Sequence, residues 1–177
     1  MITPELKMIE TPGGAISYRE SGSGPVLLLM HGIGGNSRSW RNQLETLSDH
    51  FHVIAWDAPA YGKSVERVAS LEEYTVAVIE FLDALSITNV NLLGHSMGGV
   101  VAQGVAGFHP ARVTKLILSS TFMGHGAVES SPLGQGYLAR LEDIKNMSPS
   151  EFGRARASSM VTPSASSETF KEVASIA

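Results

Sequence analysis

The chain has no cysteine among its 177 residues, which excludes disulfides, a thiol nucleophile and thiolate metal sites. Charge is sparse: 13 Lys and Arg against 17 Asp and Glu, a formal net charge of −4. That acidic balance gives no basic patch, so neither a nucleic-acid partner nor an anionic membrane partner is expected. No apolar run approaches the length of a membrane span, and Met1 to Glu5 lack the basic and apolar regions of a signal peptide. A cytoplasmic location is the expectation. No H-x-x-x-H motif or His/Asp cluster occurs, so no metal is expected. Internal repeats are missing as well, and the Ser-rich stretch 164–167 is the only compositional bias. What remains is a chain that is 43% hydrophobic, enough for a sizeable core in one domain, and rich in glycine.

The glycines concentrate around one serine. Val90-Asn91-Leu92-Leu93-Gly94 reads as a short buried strand, and Met97 to Phe108 as a helix. Between them stands Gly94-His95-Ser96-Met97-Gly98, a G-x-S-x-G between strand and helix. That arrangement forms a nucleophile elbow, in which a tight turn lifts the serine hydroxyl above the sheet. Gly94 and Gly98 leave room for neighbouring chain, and the Met97 N–H opens the helix toward the same space. Ser96 is the candidate nucleophile.

Pro25 to Met30 is a continuous apolar run, as expected of a strand buried on both faces of a parallel sheet. It ends in His31-Gly32-Ile33-Gly34-Gly35, where backbone can approach a ligand closely. Acyl transfer builds a full negative charge on a carbonyl oxygen, and losing one of its N–H donors costs roughly 3–4 kcal/mol of barrier. The Ile33 and Met97 amides are the expected donor pair. His31 is expected to brace the loop and not to act as a base.

Phe51 to Trp56 forms another strand, followed by Asp57-Ala58-Pro59-Ala60-Tyr61-Gly62-Lys63-Ser64. With these segments in order, from about Gly13 to Ser120, the chain resembles the cofactor-independent, capped α/β-hydrolases. It departs from their pattern at Ala60, where the family usually has glycine. The resemblance implies a doubly wound, mostly parallel sheet, no cofactor, and an architectural role for Asp57. The Val113–Ser120 strand continues the alternation of strands and helices. Ser70-Leu71-Glu72-Glu73 is a capping box that opens a helix. Ser39 to Leu47 reads as a further, single helix with Trp40, Leu44 and Leu47 on one face. Ile9 and Ile16-Ser17-Tyr18 suggest an antiparallel pair at the sheet edge.

After Ser120 the composition shifts to glycine and serine. The expected division is residues 1–122 for the N-terminal part of the core and 123–177 for part of a helical cap. Helices are expected over Gly136–Asn146, from Ser148 onward behind a capping box, and from Thr162-Pro163. The resemblance implies a cap over the serine, with Met123, Leu133, Tyr137 and Met160 among its apolar residues.

The resemblance also implies the order Ser, then Asp or Glu, then His. Both partners would lie beyond residue 177, so neither triad acid nor triad base is expected in this chain, and the chain alone is expected to be inactive. His31 and His95 belong to the two motifs. His50, His52 and His109 sit at the wrong ends of their elements, and only His125 follows a strand on the active face. The fold is therefore expected to stop after the sixth strand, leaving strand 113–119 as an apolar edge open to self-association or to a further segment. Two functions stand: a hydrolase of small carboxylic esters or lactones, or a non-catalytic half-domain needing a C-terminal segment. Related C–C hydrolysis and cofactor-free perhydrolysis share the same residues.

Overall fold

The computed structural model describes residues 3–66, 70–123, 132 and 134–176. The chain packs as two units, Met1–Gly124 and His125–Ala177. Among the described residues, the first unit holds six strands: β1 (Lys7–Ile9), β2 (Ile16–Ser21), β3 (Val26–Met30), β4 (His52–Trp56), β5 (Val90–His95) and β6 (Val113–Ser119). They form one sheet in the order β1-β2-β4-β3-β5-β6. β1 and β2 pair antiparallel, β2 joins β4 antiparallel, and every remaining pair is parallel.

The uninterrupted apolar run of β3 is explained by the two faces it serves. Leu28 and Met30 point into one core with Ile54, Trp56 and Leu92. Helices α2 (Leu71–Ala84) and α3 (Met97–Phe108) close that core through Ala77, Val78, Phe81, Leu82, Val101, Ala102 and Val105. Leu27 and Leu29 point the other way, with Val53 and Ala55, against Leu44 of α1 (Arg41–Thr46). Each fully buried Leu or Ile contributes roughly 1.5–3 kcal/mol. Period-2 geometry thus turns one apolar string into two cores, as a doubly wound sheet requires.

Local signals set the helix starts. The Ser70 hydroxyl accepts from the Glu73 amide while the Glu73 carboxylate accepts from the Ser70 amide, closing the expected box. The 39–47 segment differs from its reading as one helix. The Asn36 side chain caps a 3₁₀ turn over Ser37–Trp40, and α1 starts only after Trp40, which leaves the helical region (ψ 14°). Trp40 and Leu47 still pack on the Leu44 side.

The second unit contains α4 (Gln135–Asn146), α5 (Pro149–Met160) and α6 (Ser167–Ile176). Ser148 and Glu151 form the capping box of α5. α6 begins five residues after Thr162, not at Thr162-Pro163. The Ala165 amide bonds the Thr162 carbonyl in a turn, and the Ser166 hydroxyl caps the Thr169 amide instead. α5 and α6 cross closely: a β-carbon on Gly153 would fall 2.3 Å from the Ala174 carbonyl oxygen. No helix among the described residues is long and apolar enough to cross a membrane.

Candidate active site

β5 runs out at His95, and α3 starts at Met97, so Ser96 alone makes the turn between them. Its backbone has φ 53° and ψ −118°, a conformation that costs a non-glycine residue roughly 1–3 kcal/mol. That strain persists because the surroundings fix the turn. The Ser96 amide donates to the Ser119 carbonyl at 3.0 Å. The Ser96 carbonyl accepts from the Gly99 amide at 2.9 Å, the Val100 amide at 3.2 Å and the Thr121 hydroxyl at 2.7 Å.

The flanking glycines are steric necessities. A β-carbon at Gly94 would lie 2.4 Å from the Gly98 carbonyl oxygen, and one at Gly98 2.2 Å from that of Met30. The start of α3 is thereby pressed against the end of β3, which brings the His31–Gly35 loop to the elbow. A β-carbon at Gly32 would sit 3.0 Å from the Ser96 β-carbon. The Gly35 amide closes a turn on the Gly32 carbonyl at 3.0 Å, with Ile33 and Gly34 at its corner and Gly34 at φ 75°. Among the described residues, no hydrogen bond occupies the amides of Ile33 or Met97.

His31 is buried and fixed at both ring nitrogens. Nδ1 donates to the Gly32 carbonyl at 2.9 Å, and Nε2 accepts from the Ala58 amide at 3.1 Å. Both partners are backbone, so the ring must be neutral with its proton on Nδ1. Tyr61 covers it edge-on, with ring centroids 4.8 Å apart. Burial pushes the imidazole below its ordinary range, and the Gly32 carbonyl and the Asp57 charge oppose this more weakly.

This lowered basicity gives a pH dependence of known sign. The unfolded chain takes up a proton near the ordinary value of 6.5, and the folded chain takes it up only at lower pH. Stability from His31 is therefore complete above about pH 6.5 and is lost as pH falls below it, at up to ~1.4 kcal/mol per unit. Urea melts at pH 8.0, 6.5 and 5.5 are expected to show that loss, and to show it flattened in His31→Gln. An unchanged pH slope in that variant would mean that other groups cause it.

Asp57 lies in the same bracing system. Its carboxylate accepts from the Ser17 hydroxyl and from the Ser37 amide, the latter at 2.5 Å. The Ser64 hydroxyl donates to its carbonyl at 2.6 Å and accepts from the Ser17 amide at 2.9 Å. β2, the β4 turn and the start of the 3₁₀ turn are held together through one buried carboxylate. Ala60 follows with φ 67°, a left-handed conformation that costs an alanine roughly 1–2 kcal/mol.

His52 Nε2 bonds Glu20 at 2.7 Å, and Glu20 also holds Lys7 at 2.7 Å. His95 is exposed, its Nδ1 3.4 Å from the Ser119 hydroxyl. His109 ends α3. His125, with Leu133, lies outside the described residues, as does the side chain of Tyr137. Among the described residues, no imidazole bonds the Ser96 hydroxyl. Sequence reasoning missed Thr121, whose hydroxyl reaches the Ser96 carbonyl.

A six-stranded sheet of this order, with a strained serine between strand and helix, defines a class: the chain belongs to the α/β-hydrolase fold family, whose model matches residues 25–156. It is 35% identical over 130 residues to an Acinetobacter baylyi (E)-2-((N-methylformamido)methylene)succinate hydrolase, covering 68% of this chain and 49% of that one. It is 40% identical over 104 residues to the Vibrio cholerae pimeloyl-[acyl-carrier protein] methyl ester esterase, covering 58% of this chain and 39% of the other. Among solved structures, a hydrolase from Pseudomonas aeruginosa PA01 superposes with TM-score 0.79 at 27% identity, over 97% of this chain and 66% of its own. The chain thus spans about half the length of the curated hydrolase from Acinetobacter that it matches.

Proposed function

We propose that this chain is the nucleophile-bearing part of a serine hydrolase acting on carboxylic esters or lactones. The observation that carries the reading is the strained Ser96 turn, with Gly32 set against its side chain and the Ile33 and Met97 amides without a partner among the described residues. The methyl ester esterase among its relatives supports an acyl substrate. In this reading Ser96 Oγ attacks the carbonyl carbon, and its proton passes through a base to the leaving alkoxide. The two amides hold the oxyanion, and water then releases the acyl group and restores the hydroxyl. The acid and base come from residues other than the described ones, and the open edge of β6 is where a further segment or a second copy of the chain would pair.

The absence of an imidazole at Ser96 among the described residues supports a second reading, a half-domain that cradles an oxyanion without relaying a proton. A fluorophosphonate probe separates the two. A covalent mass increase that disappears in Ser96→Ala would mean that a base reaches the serine from this chain or a partner. A folded chain that stays unlabelled would assign the activity to a longer or assembled protein, or remove it.

A further inference from the structure

The chain leaving β6 turns back onto the elbow. Ser120 adopts φ 45°, which swings Thr121 away from the strand direction. The Thr121 hydroxyl then donates to the Ser96 carbonyl at 2.7 Å. Gly99 makes room for it: a β-carbon there would fall 2.5 Å from both Cβ and Oγ1 of Thr121. Three further bonds close the clasp. The Ser96 amide donates to Ser119 at 3.0 Å, and Gln103 Nε2 donates to the Phe122 carbonyl at 2.9 Å and the Gly99 carbonyl at 3.1 Å.

We propose that Thr121 is a positioning residue for the oxyanion site, acting through the peptide unit that Ser96 shares with Met97. The inference rests on the proposed role of the Met97 amide. A trans peptide is planar, with its carbonyl and its N–H pointing in opposite directions. Whatever holds the Ser96 carbonyl therefore aims the Met97 N–H. Three donors converge on that carbonyl, and two of them, the Gly99 and Val100 amides, come with the helix itself. Thr121 is the third, and it comes from the chain just after β6 and not from α3, so it fixes the tilt of the plane against the sheet. Its bond also polarises the peptide, which makes the Met97 N–H a better donor. An oxyanion bound by a correctly aimed amide gains most in the transition state, so the effect belongs in the rate and not in affinity.

Thr121→Val keeps the shape and removes the donor, and Thr121→Ser keeps the donor. Fluorophosphonate labelling of Ser96 is read as the maximal inactivation rate and the concentration at half that rate. Thr121→Val is expected to slow the maximal rate about ten- to thirtyfold with the half-saturating concentration unchanged. Thr121→Ser is expected to stay within about twofold of the parent chain. The second readout needs no reactivity: the Met97 amide ¹⁵N and ¹H resonances are expected to move upfield in Thr121→Val and to return in Thr121→Ser. An unmoved Met97 resonance in folded Thr121→Val would overturn the proposal. Parent-rate labelling by that variant would do the same. If the parent chain does not label while the Met97 resonance moves as expected, this chain by itself lacks the proton relay and the positioning by Thr121 stands.

Discussion

Gly98→Ala is expected to cost the first unit at least about 3 kcal/mol, although alanine is the better helix former. Gly98 lies in the first turn of α3, where an ordinary helix would gain from the exchange. Here the added β-carbon would lie 2.2 Å from the Met30 carbonyl oxygen, 2.5 Å from its carbonyl carbon and 2.7 Å from the His31 carbonyl oxygen. All three are backbone atoms at the end of a buried central strand, so no rotamer change can relieve the overlap. Either α3 lifts from the sheet, or β3 shifts and carries the His31–Gly35 loop with it. The same helix supplies the control. Gly107 is exposed near the other end of α3, and a β-carbon there meets nothing within 4 Å. Gly107→Ala is expected to raise stability by about 0.5–1 kcal/mol, through helix propensity alone. Urea denaturation followed by circular dichroism measures both. A Gly98→Ala variant within about 1 kcal/mol of the parent would mean that α3 does not press on β3, and the elbow geometry would fall with it.

What the sequence made legible was local and periodic. The unbroken apolar runs of β3 and β4, and the glycines around Ser96, announce a buried parallel sheet and a tight strand-to-helix turn without any distant contact. The capping boxes at Ser70 and Ser148 are equally local, since donor and acceptor lie three residues apart. The errors arose where two local signals competed. Trp40, Leu44 and Leu47 suggested one helix, but Asn36 had already capped a 3₁₀ turn that ends at Trp40. Pro163 suggested a helix start, but the Ser166 hydroxyl supplies the N-terminal cap. The clasp at Thr121 was not legible at all. It joins residues 25 apart and depends on the left-handed turn at Ser120, a residue that reads only as the end of a strand. The same holds for Asp57, whose resemblance suggested architecture but whose partners, Ser17 and Ser37, come from separate elements.

The open edge of β6 is expected to make this chain associate. Among the described residues β6 is the last strand of the sheet, paired only with β5. Leu116, Ile117 and Leu118 are 37%, 46% and 45% exposed, on a strand whose sequence would suit a buried position. Register explains why both faces suffer. Leu116 and Leu118 lie beside Leu92 and Gly94 on the α3 side, and Ile117 lies beside Leu93 on the α1 side. Lys115 is the only charge on the strand, so little protects it from edge-to-edge pairing. Covering the three side chains contributes roughly 2–4 kcal/mol per copy, and each strand hydrogen bond adds about 1 kcal/mol. Against an association cost of at least about 4 kcal/mol, these terms support a two-fold dimer that dissociates near 10 µM, roughly −7 kcal/mol. Size-exclusion chromatography with light scattering, across about 1–200 µM, is expected to show a concentration-dependent mass. Ile117→Lys places a second charge on the same face as Lys115 and is expected to return the monomer at every concentration without loss of the cooperative melt. A parent chain that stays monomeric throughout would mean that the edge is covered by residues other than the described ones, and the proposed pairing along β6 would be withdrawn.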